Sequence, residues 1–383
     1  MALVFWTCLA LLAFAFVGYP LWMATLARLR PRPLRASPGM PTVQVLLVAH
    51  NAQAQIVRKL ENLLALDYPP DRLRIAVALD GCNDATEALV DAIGSPRIDV
   101  FAFAQRRGKS ACIGDVLPRL DAEIVLFTDV RQRVDARAVR MLVGALSDPA
   151  VGAASGELML EPGDGYARGI EAYWRMEKWI RRNESASGSM VGATGALYAA
   201  RRTAIDAVPA GLVLDDMWIP LRIAAAGYRI VFVPGALAFD QASSDPGTEQ
   251  ARKRRTLAGN YQLLRRWPAL AIPGAHPLAL RLWGHKWLRL LAPWLLLALL
   301  ASNLVLAFDG DRFYLATLCA QSGLYLLALL ARLLPRSLGH WLPARLCHAF
   351  VGLNFSALLA LGDFLRKPHA HLWSTTRARE AAR

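Results

Sequence analysis

Hydrophobic residues are distributed differently at the two ends of the chain and in its middle. At the ends, stretches without Asp, Glu, Lys or Arg reach the roughly 17–25 residues that cross a bilayer as a helix. These uncharged stretches are residues 1–27, 290–308, 313–331 and 346–362. The last is the weakest, because His348 and Asn354 interrupt it. The pattern predicts three membrane helices and a fourth segment that either spans the membrane or re-enters it.

In the middle of the chain, short apolar runs alternate with segments of helical spacing. Short continuous apolar runs are typical of strands that are buried on both faces, and recurrence every three to four residues is typical of amphipathic helices. The predicted strands are 43–49, 73–79, 100–104 and 123–128, and the predicted helices are 54–66, 85–93 and 110–120. This alternation predicts an α/β domain with a mostly parallel sheet.

Polar residues follow the predicted strands at the points where those strands end. His50 and Asn51 follow the first strand, Asp80 ends the second, and Asp129 ends the fourth. Ligands of open parallel sheets bind beyond the carboxyl ends of the strands, so we expect these residues at one edge of the sheet. Asp84 precedes a predicted helix, and a helix N-cap is an equally good interpretation of it.

The charge and composition of the chain also indicate a membrane protein. The chain has 383 residues, of which 55% are hydrophobic and 19% are charged, and its net charge is +14. A basic chain can bind nucleic acid, but many of these Lys and Arg residues flank the uncharged stretches, as they do beside anionic lipid. We therefore expect membrane lipid, and no nucleic acid, as a partner. Five cysteines without a C-x-x-C pair argue against a zinc site or a disulfide framework.

The basic residues also predict the orientation of the chain in the membrane. Arginines between residues 28 and 35 follow the first stretch, which favours an anchor over a cleaved signal peptide and places the middle of the chain in the cytoplasm. The predicted organisation is a membrane helix at 1–27, a basic linker at 28–41, the α/β domain at 42–275, an interfacial segment at 276–289, helices at 290–308, 313–331 and 346–362, and a basic tail at 363–383. A spanning fourth segment would put this tail outside, which the positive-inside rule disfavours.

Several short motifs occur in an order and spacing that suggest a known family. They are Val48–Asn51 (VAHN), Asp80–Asp84 (DGCND), Gly108–Gly114 (GKSACIG), Asp129–Arg131 (DVR), Gly192–Ala196 (GATGA) and Asp215–Arg222 (DDMWIPLR). In these motifs the chain resembles membrane-bound family 2 glycosyltransferases, similar to the processive synthases of cellulose, hyaluronan and poly-N-acetylglucosamine. The resemblance implies a GT-A fold, which is a Rossmann-like α/β domain with a mostly parallel sheet, here cytoplasmic and flanked by transmembrane helices.

The resemblance also implies roles for individual residues. Asp216 would be the catalytic base, Gly195 and Asp215 would lie on the acceptor side, and Asp129 would hold Mg²⁺ or Mn²⁺ on the donor diphosphate. The residues that would bind the nucleotide sugar are His50, Asn51, Asp80, Asp84, Lys109, Asp129 and Arg255. On the residues alone, Lys109 could equally be an exposed helix start, and Asp129 could cap a short helix.

The sequence departs from the family pattern at three places. Gly114 replaces the usual Asn, and Arg131 replaces the second Asp of the D-x-D motif. The Q-x-x-R-W signature is also incomplete: Arg255 matches its arginine in the best register, and a second near-match at 262–267 has one residue too many. The lost signature and the small number of membrane segments favour transfer of one sugar to a lipid carrier or glycolipid over synthesis of a polymer.

Together with the membrane pattern, the resemblance implies an inverting hexosyltransferase of the inner (plasma) membrane. It would move a sugar from a nucleotide sugar, which the resemblance implies to be UDP-linked, to a glycan or lipid-linked acceptor at the cytoplasmic face, with synthase or export subunits as further candidate partners. The alternative is a catalytically silent subunit that binds a nucleotide sugar, which the Arg131 replacement suggests and the intact Asp216 opposes.

Overall fold

The computed structural model of the chain describes residues 1–161, 168–241, 246–333, 341–366 and 372. The strands of the described chain are β1 (Val43–Ala49), β2 (Leu73–Asp80), β3 (Ile98–Phe103), β4 (Ile124–Asp129), β5 (Arg133–Val134), β6 (Val151–Glu161), β7 (Leu197–Arg201) and β8 (Arg229–Gln241). They form one sheet in the order β3-β2-β1-β4-β7-β6-β8-β5.

Helices surround this sheet and extend beyond it. Those of the described chain are α1 (Ala2–Ala13), α2 (Tyr19–Leu29), α3 (Ile56–Leu64), α4 (Thr86–Ile93), α5 (Lys109–Val116), α6 (Ala138–Leu146), α7 (Arg168–Ala186), α8 (Asp215–Ala225), α9 (Pro246–Arg266), α10 (Ala279–Leu282), α11 (Leu288–Phe308), α12 (Arg312–Leu333) and α13 (Leu342–Arg366). The predicted helix 110–120 is shorter in the structure, because Pro118 lacks the N–H that a continuing helix needs.

The centre of the sheet explains the continuous apolar runs in the sequence. All seven residues of β1 are buried, and β1 pairs in parallel with β2 on one side and β4 on the other. Val45 and Leu47 face one buried cluster, while Leu46 and Val48 face the other. Because both faces are covered, six of the seven positions are apolar, and the buried polar residue, Gln44, donates to Asp99 at 3.2 Å.

The α/β fold is confirmed, and its sheet is mixed. The β1, β2, β3 and β4 pairs are parallel, and so is the β6–β8 pair. In contrast, β7 is antiparallel to both β4 and β6, and β5 is antiparallel to β8. The register pairs Val48 with Asp129 and Asp80 with Phe103, so the carboxyl ends of β1, β2 and β4 lie at one edge, as expected.

Four helices of the described chain are long and apolar enough to cross a membrane: Ala2–Leu29, Ala279–Phe308, Arg312–Ala331 and Pro343–Arg366. The segment expected to be interfacial, 276–289, is helical from Ala279 onward and continuous with α11, and its interfacial position stays a prediction. Nearly all of the basic tail, and the 334–340 part of the loop before α13, lie outside the described residues.

Buried polar groups join the apolar helices to the α/β domain. The Tyr19 hydroxyl donates to the Glu184 carboxylate, and His285 lies between Glu184 at 2.8 Å and Glu177 at 2.9 Å. A Cβ at Gly284 would lie 2.0 Å from the Tyr19 ring, so this joint requires glycine there. At a second joint, between α9 and α13, the Arg254 guanidinium donates to Asp363 at 2.8 Å.

Candidate active site

A buried lysine draws two aspartates together at the edge where β4 ends. The Lys109 ammonium, at the first residue of α5, lies 2.7 Å from Asp129 Oδ1 and 3.2 Å from Asp215 Oδ2. Burial alone would lower the pKa of Lys109, but the charges of Asp129 and Asp215 outweigh it and hold the pKa above its ordinary value. The side chain of Asp215 is 8% exposed and that of Asp129 is 42% exposed. The cluster is therefore anchored on Asp215 and open to solvent at Asp129.

Asp216 is enclosed by the glycine-containing turn at residues 192–196. The Gly195 N–H donates to Asp216 Oδ2 at 3.0 Å, and the Ala193 N–H donates to the Asp216 carbonyl oxygen at 3.0 Å. A Cβ at Gly195 would lie 3.1 Å from Asp216 Oδ2, so glycine allows this close approach. Burial, and then the charge of Asp215, raises the pKa of Asp216 to about 6 against the opposing effect of Lys109. A carboxylate with this pKa is ionised at neutral pH and basic enough to accept a proton.

Arg255 completes the cluster from helix α9. Burial lowers its pKa, and the charges of Asp215, Asp129 and Asp216 act on it in the opposite sense. The structure therefore brings together Lys109, Arg255 and the three aspartates that the sequence assigned to the site, from α5, α9, β4 and α8. Two cations face three carboxylates here, in an arrangement that could accept a diphosphate with its counter-ion.

Arg131 pairs with a residue outside this cluster. Its guanidinium forms an ion pair with the buried carboxylate of Asp240, at the end of β8, at 2.5 Å. Gln132 Nε2 donates to the same Asp240 oxygen at 3.1 Å. The residue that replaces the second acid of the D-x-D motif thus has its own partner outside the cluster.

The remaining predicted nucleotide residues form a separate hydrogen-bonded group near the ends of β1 and β2. The fully buried Asp80 carboxylate accepts the N–H groups of Arg107 at 2.7 Å and Gly108 at 2.9 Å. His50 Nδ1 donates to the Asp80 carbonyl oxygen at 2.7 Å, and Asn51 exchanges two hydrogen bonds with Asn83. Asp80 therefore holds the loop that leads to Lys109, and direct contact of these side chains with a nucleotide stays a prediction.

Asp84 has the contacts of a helix cap. Its carboxylate accepts the N–H of Thr86 at 3.0 Å, in the first turn of α4, and the N–H of Gln53 at 3.2 Å. Burial alone would raise the pKa of Asp84, but the hydrogen bond from the Thr86 hydroxyl, together with those from these N–H groups, outweighs it and lowers the pKa. The geometry agrees with the capping alternative, and a role of Asp84 in nucleotide binding stays a prediction.

Two of the sequence departures have a physical reason in the structure. A Cβ at Gly114 would lie 2.6 Å from the Val208 carbonyl oxygen, so the packing of the neighbouring loop excludes the usual Asn. In the near-match at 262–267, the Trp267 ring packs at a tilt against Trp218 of α8, with ring centroids 5.5 Å apart, and Gln262 Nε2 donates to the Gly211 carbonyl oxygen. Gln262 therefore supports the segment before Asp215, and Trp267 supports the helix that Asp215 begins.

Sequence reasoning missed two buried side chains at the site. Lys59 on α3 is 3% exposed and lies beneath β4, and burial lowers its pKa to about 7 against the charge of Asp129. The sequence did contain a signal for Lys59, because it falls on the helical stripe of Ile56, Leu60 and Leu63, where an apolar residue is expected.

Tyr198, the second of these side chains, lies on β7. Its ring stacks on Phe127 with ring centroids 4.5 Å apart, and the described residues give its buried hydroxyl no hydrogen-bond partner. No feature of the sequence distinguishes Tyr198.

Comparison with solved structures supports the fold. The chain is similar to a mannosyltransferase of Pyrobaculum calidifontis, solved in complex with GDP-Man and Mn²⁺, with a TM-score of 0.69 and 22% identity over 95% of this chain and 99% of that one. At this identity the similarity shows a shared fold, which is the GT-A arrangement of strands and helices.

Sequence relatives agree with this result. The chain is 22% identical over 231 residues to a β-monoglucosyldiacylglycerol synthase of Synechocystis sp., covering 58% of this chain and 48% of that protein. It is 25% identical over 215 residues to a probable glycosyltransferase of Bacillus subtilis, YdaM, covering 53% and 51%. The chain thus spans about half the length of the curated relatives it matches. A family profile described as "Glycosyltransferase like family 2" matches residues 41–268, which is more than half of the chain. The chain therefore belongs to glycosyltransferase family 2.

Proposed function

We propose that the protein is an inverting glycosyltransferase that moves one sugar from a nucleotide sugar to a lipid acceptor at the cytoplasmic face of the membrane. The observation that carries this proposal is the joint placement of Asp216, Asp129, Asp215 and Lys109. The cluster contains an acceptor-side carboxylate with a raised pKa, Asp216. It also contains a donor-side carboxylate, Asp129, that is paired with the Lys109 ammonium, which contacts Asp215 as well. Lipid as the acceptor is supported by the similarity to a β-monoglucosyldiacylglycerol synthase and by the four helices of the described chain that could span a membrane.

In this mechanism Asp216 accepts the proton of the acceptor hydroxyl while that oxygen attacks the anomeric carbon of the donor. The new carbon–oxygen bond forms as the bond to the diphosphate breaks, so the configuration of the sugar inverts. The leaving diphosphate gains negative charge, which Lys109 and Arg255 would stabilise. The Gly195 N–H holds Asp216 in place and leaves its second carboxylate oxygen for the acceptor.

A divalent cation fits this site through a single carboxylate. Among the described residues, no group of three His, Cys, Asp or Glu side chains is placed to hold a metal ion alone. Mg²⁺ commonly takes one or two carboxylates together with substrate phosphates, and the half-exposed Asp129 offers one of them. Asp129 would hold the cation only together with the donor, and the cation would neutralise diphosphate charge. The Mn²⁺ in the solved mannosyltransferase supports this proposal.

Release of nucleotide by the purified, detergent-solubilised protein tests the proposal. The protein is offered UDP-, GDP- and dTDP-sugars with Mg²⁺ or Mn²⁺ and a membrane lipid extract. We expect release with one donor class, and a loss of at least about 10²-fold in the Asp216→Asn variant, since general-base catalysis contributes about 10²–10⁴-fold. Asp121→Asn is the matched control, because Asp121 is exposed on the loop before β4.

The second candidate, a silent subunit, is favoured by the loss of the second D-x-D acid at Arg131. Comparison of the wild type with the Asp216→Asn variant distinguishes the two functions, because only an enzyme releases nucleotide before the substitution. An enzyme loses turnover but still binds the nucleotide, whereas a silent subunit binds the nucleotide and releases none from any donor, with or without the substitution.

A further inference from the structure

Lys59 has a buried amino group that the proposed mechanism does not use. This amino group donates to Thr128 Oγ1 at 2.9 Å and to the Gln132 carbonyl oxygen at 2.6 Å. Burial of such a polar group is unfavourable unless hydrogen bonds compensate for it. Thr128 and Gln132 bracket the turn that carries Asp129, so these bonds hold the turn from beneath.

The hydrogen bonds continue from this turn to the acceptor side of the site. A hydroxyl has one proton, so Thr128 Oγ1, which accepts from Lys59, can donate once. It donates to the Ala196 carbonyl oxygen at 2.8 Å. Ala196 ends the turn at residues 192–196, in which the Gly195 N–H holds the Asp216 carboxylate. A buried chain of hydrogen bonds therefore runs from α3 through the end of β4 to the turn around Asp216.

We propose that Lys59 is a positioning residue that sets the donor-side carboxylate Asp129 in register with the acceptor-side carboxylate Asp216. The inference rests on the proposed function, because only a transferase needs donor and acceptor held in line. It deepens that function, since Lys59 touches neither substrate and acts through Thr128. A displacement of about 1 Å in a catalytic arrangement can cost about 10²-fold in rate.

The chain offers variants that remove single links. Lys59→Met keeps the approximate length of the side chain and removes the amino group, which leaves two buried acceptors without this donor and lowers stability. Thr128→Val keeps the shape of the side chain and removes the hydroxyl, whereas Thr128→Ser keeps the hydroxyl. Arg58→Met is the matched control, because Arg58 is the exposed neighbour of Lys59 on α3.

The experiment measures kcat and donor KM by nucleotide release, together with the thermal unfolding midpoint in detergent. For Lys59→Met and Thr128→Val we expect a fall in kcat of about 10- to 100-fold with donor KM changed less than about threefold. Both should retain a cooperative unfolding transition. Thr128→Ser should retain the wild-type kcat. The variant that combines Lys59→Met with Thr128→Val should be no slower than the slower single variant, because both substitutions break the same chain of hydrogen bonds.

The positioning role is overturned if Lys59→Met or Thr128→Val folds and turns over within about twofold of the wild type, or if their losses multiply in the double variant. If Lys59→Met does not fold, Thr128→Val decides by itself. A wild-type protein that releases no nucleotide from any donor overturns the proposed function and the positioning role with it. The two failures are thus distinguishable from the wild-type reaction alone.

Discussion

The charge of Asp215 is expected to determine the pH at which the enzyme loses its base. Burial and the charge of Asp215 are the largest effects that raise the pKa of Asp216 from 3.8 to about 6. This shift corresponds to about 3 kcal/mol of extra cost for ionising the side chain. Asp215→Asn keeps the shape of the side chain and removes its charge. We expect the pKa of Asp216 to fall by roughly one unit, the lower end of the effect of a near like charge.

The sign of the effect follows from the role of Asp216 as a base. The carboxylate must be ionised to accept a proton, so kcat/KM falls as the pH drops through the pKa. At pH 5, a pKa of about 6 leaves about one-tenth of the carboxylate ionised, whereas a pKa of about 5 leaves about half. The rate at pH 5 relative to that at pH 8 should therefore rise about fivefold in Asp215→Asn.

The assay is nucleotide release between pH 4.5 and 8 under kcat/KM conditions, with Asp121→Asn as the control of equal charge change. Normalisation to the pH 8 rate removes any constant loss caused by the weakened hold on Lys109. The acid limb of the kcat/KM profile is expected to move to lower pH in Asp215→Asn. If its midpoint stays at about pH 6 or moves upward, the claim that the charge of Asp215 raises the pKa of Asp216 is refuted. If the acid limb of the wild-type kcat/KM profile has its midpoint near pH 4, the pKa of Asp216 is not raised at all.

Three further substitutions test the packing and the cation. Gly114→Ala should destabilise the protein by about 1–3 kcal/mol, since its Cβ would meet a backbone carbonyl at 2.6 Å, and chemical denaturation measures this loss. Asp129→Asn should weaken donor binding in Mn²⁺ more than in its absence, which calorimetric titration of the nucleoside diphosphate measures; equal weakening would contradict a ligand role. Gly284→Ala should lower the unfolding midpoint, because its Cβ would overlap the Tyr19 ring, whereas Gly323→Ala in α12, with open space around it, should not.

Local patterns were sufficient to predict the scaffold of the site. The apolar runs predicted β1, β2 and β4 to within one residue at each end, because strands covered on both faces are mainly apolar on both sides. Because these strands are parallel, their carboxyl ends lie at one edge of the sheet. The placement of Asp80 and Asp129 at that edge follows from their positions at the ends of β2 and β4. The antiparallel β7 was not predicted, since its position between β4 and β6 depends on pairing between residues far apart in the sequence.

The support of the site could not be predicted in the same way. The sequence shows that Lys59 interrupts an apolar stripe, but it does not show that Thr128 and Gln132 receive its hydrogen bonds. Asp80 illustrates the opposite case, because a carboxylate at a strand end suggests a ligand contact. In the structure its two oxygens accept backbone N–H groups of the loop before Lys109. Such partners come from other elements, and only the three-dimensional arrangement identifies them.

The replacement of the second D-x-D acid by Arg131 shows how a distant residue changes the meaning of a motif. An unpaired guanidinium two residues from Asp129 would compete with a cation for that carboxylate. Asp240, more than one hundred residues later in the chain, provides a buried partner at 2.5 Å instead. Asp240 thus engages the Arg131 guanidinium, while Lys109 pairs with Asp129. We infer that this pairing leaves Asp129 able to take the cation role proposed above, together with the donor phosphates.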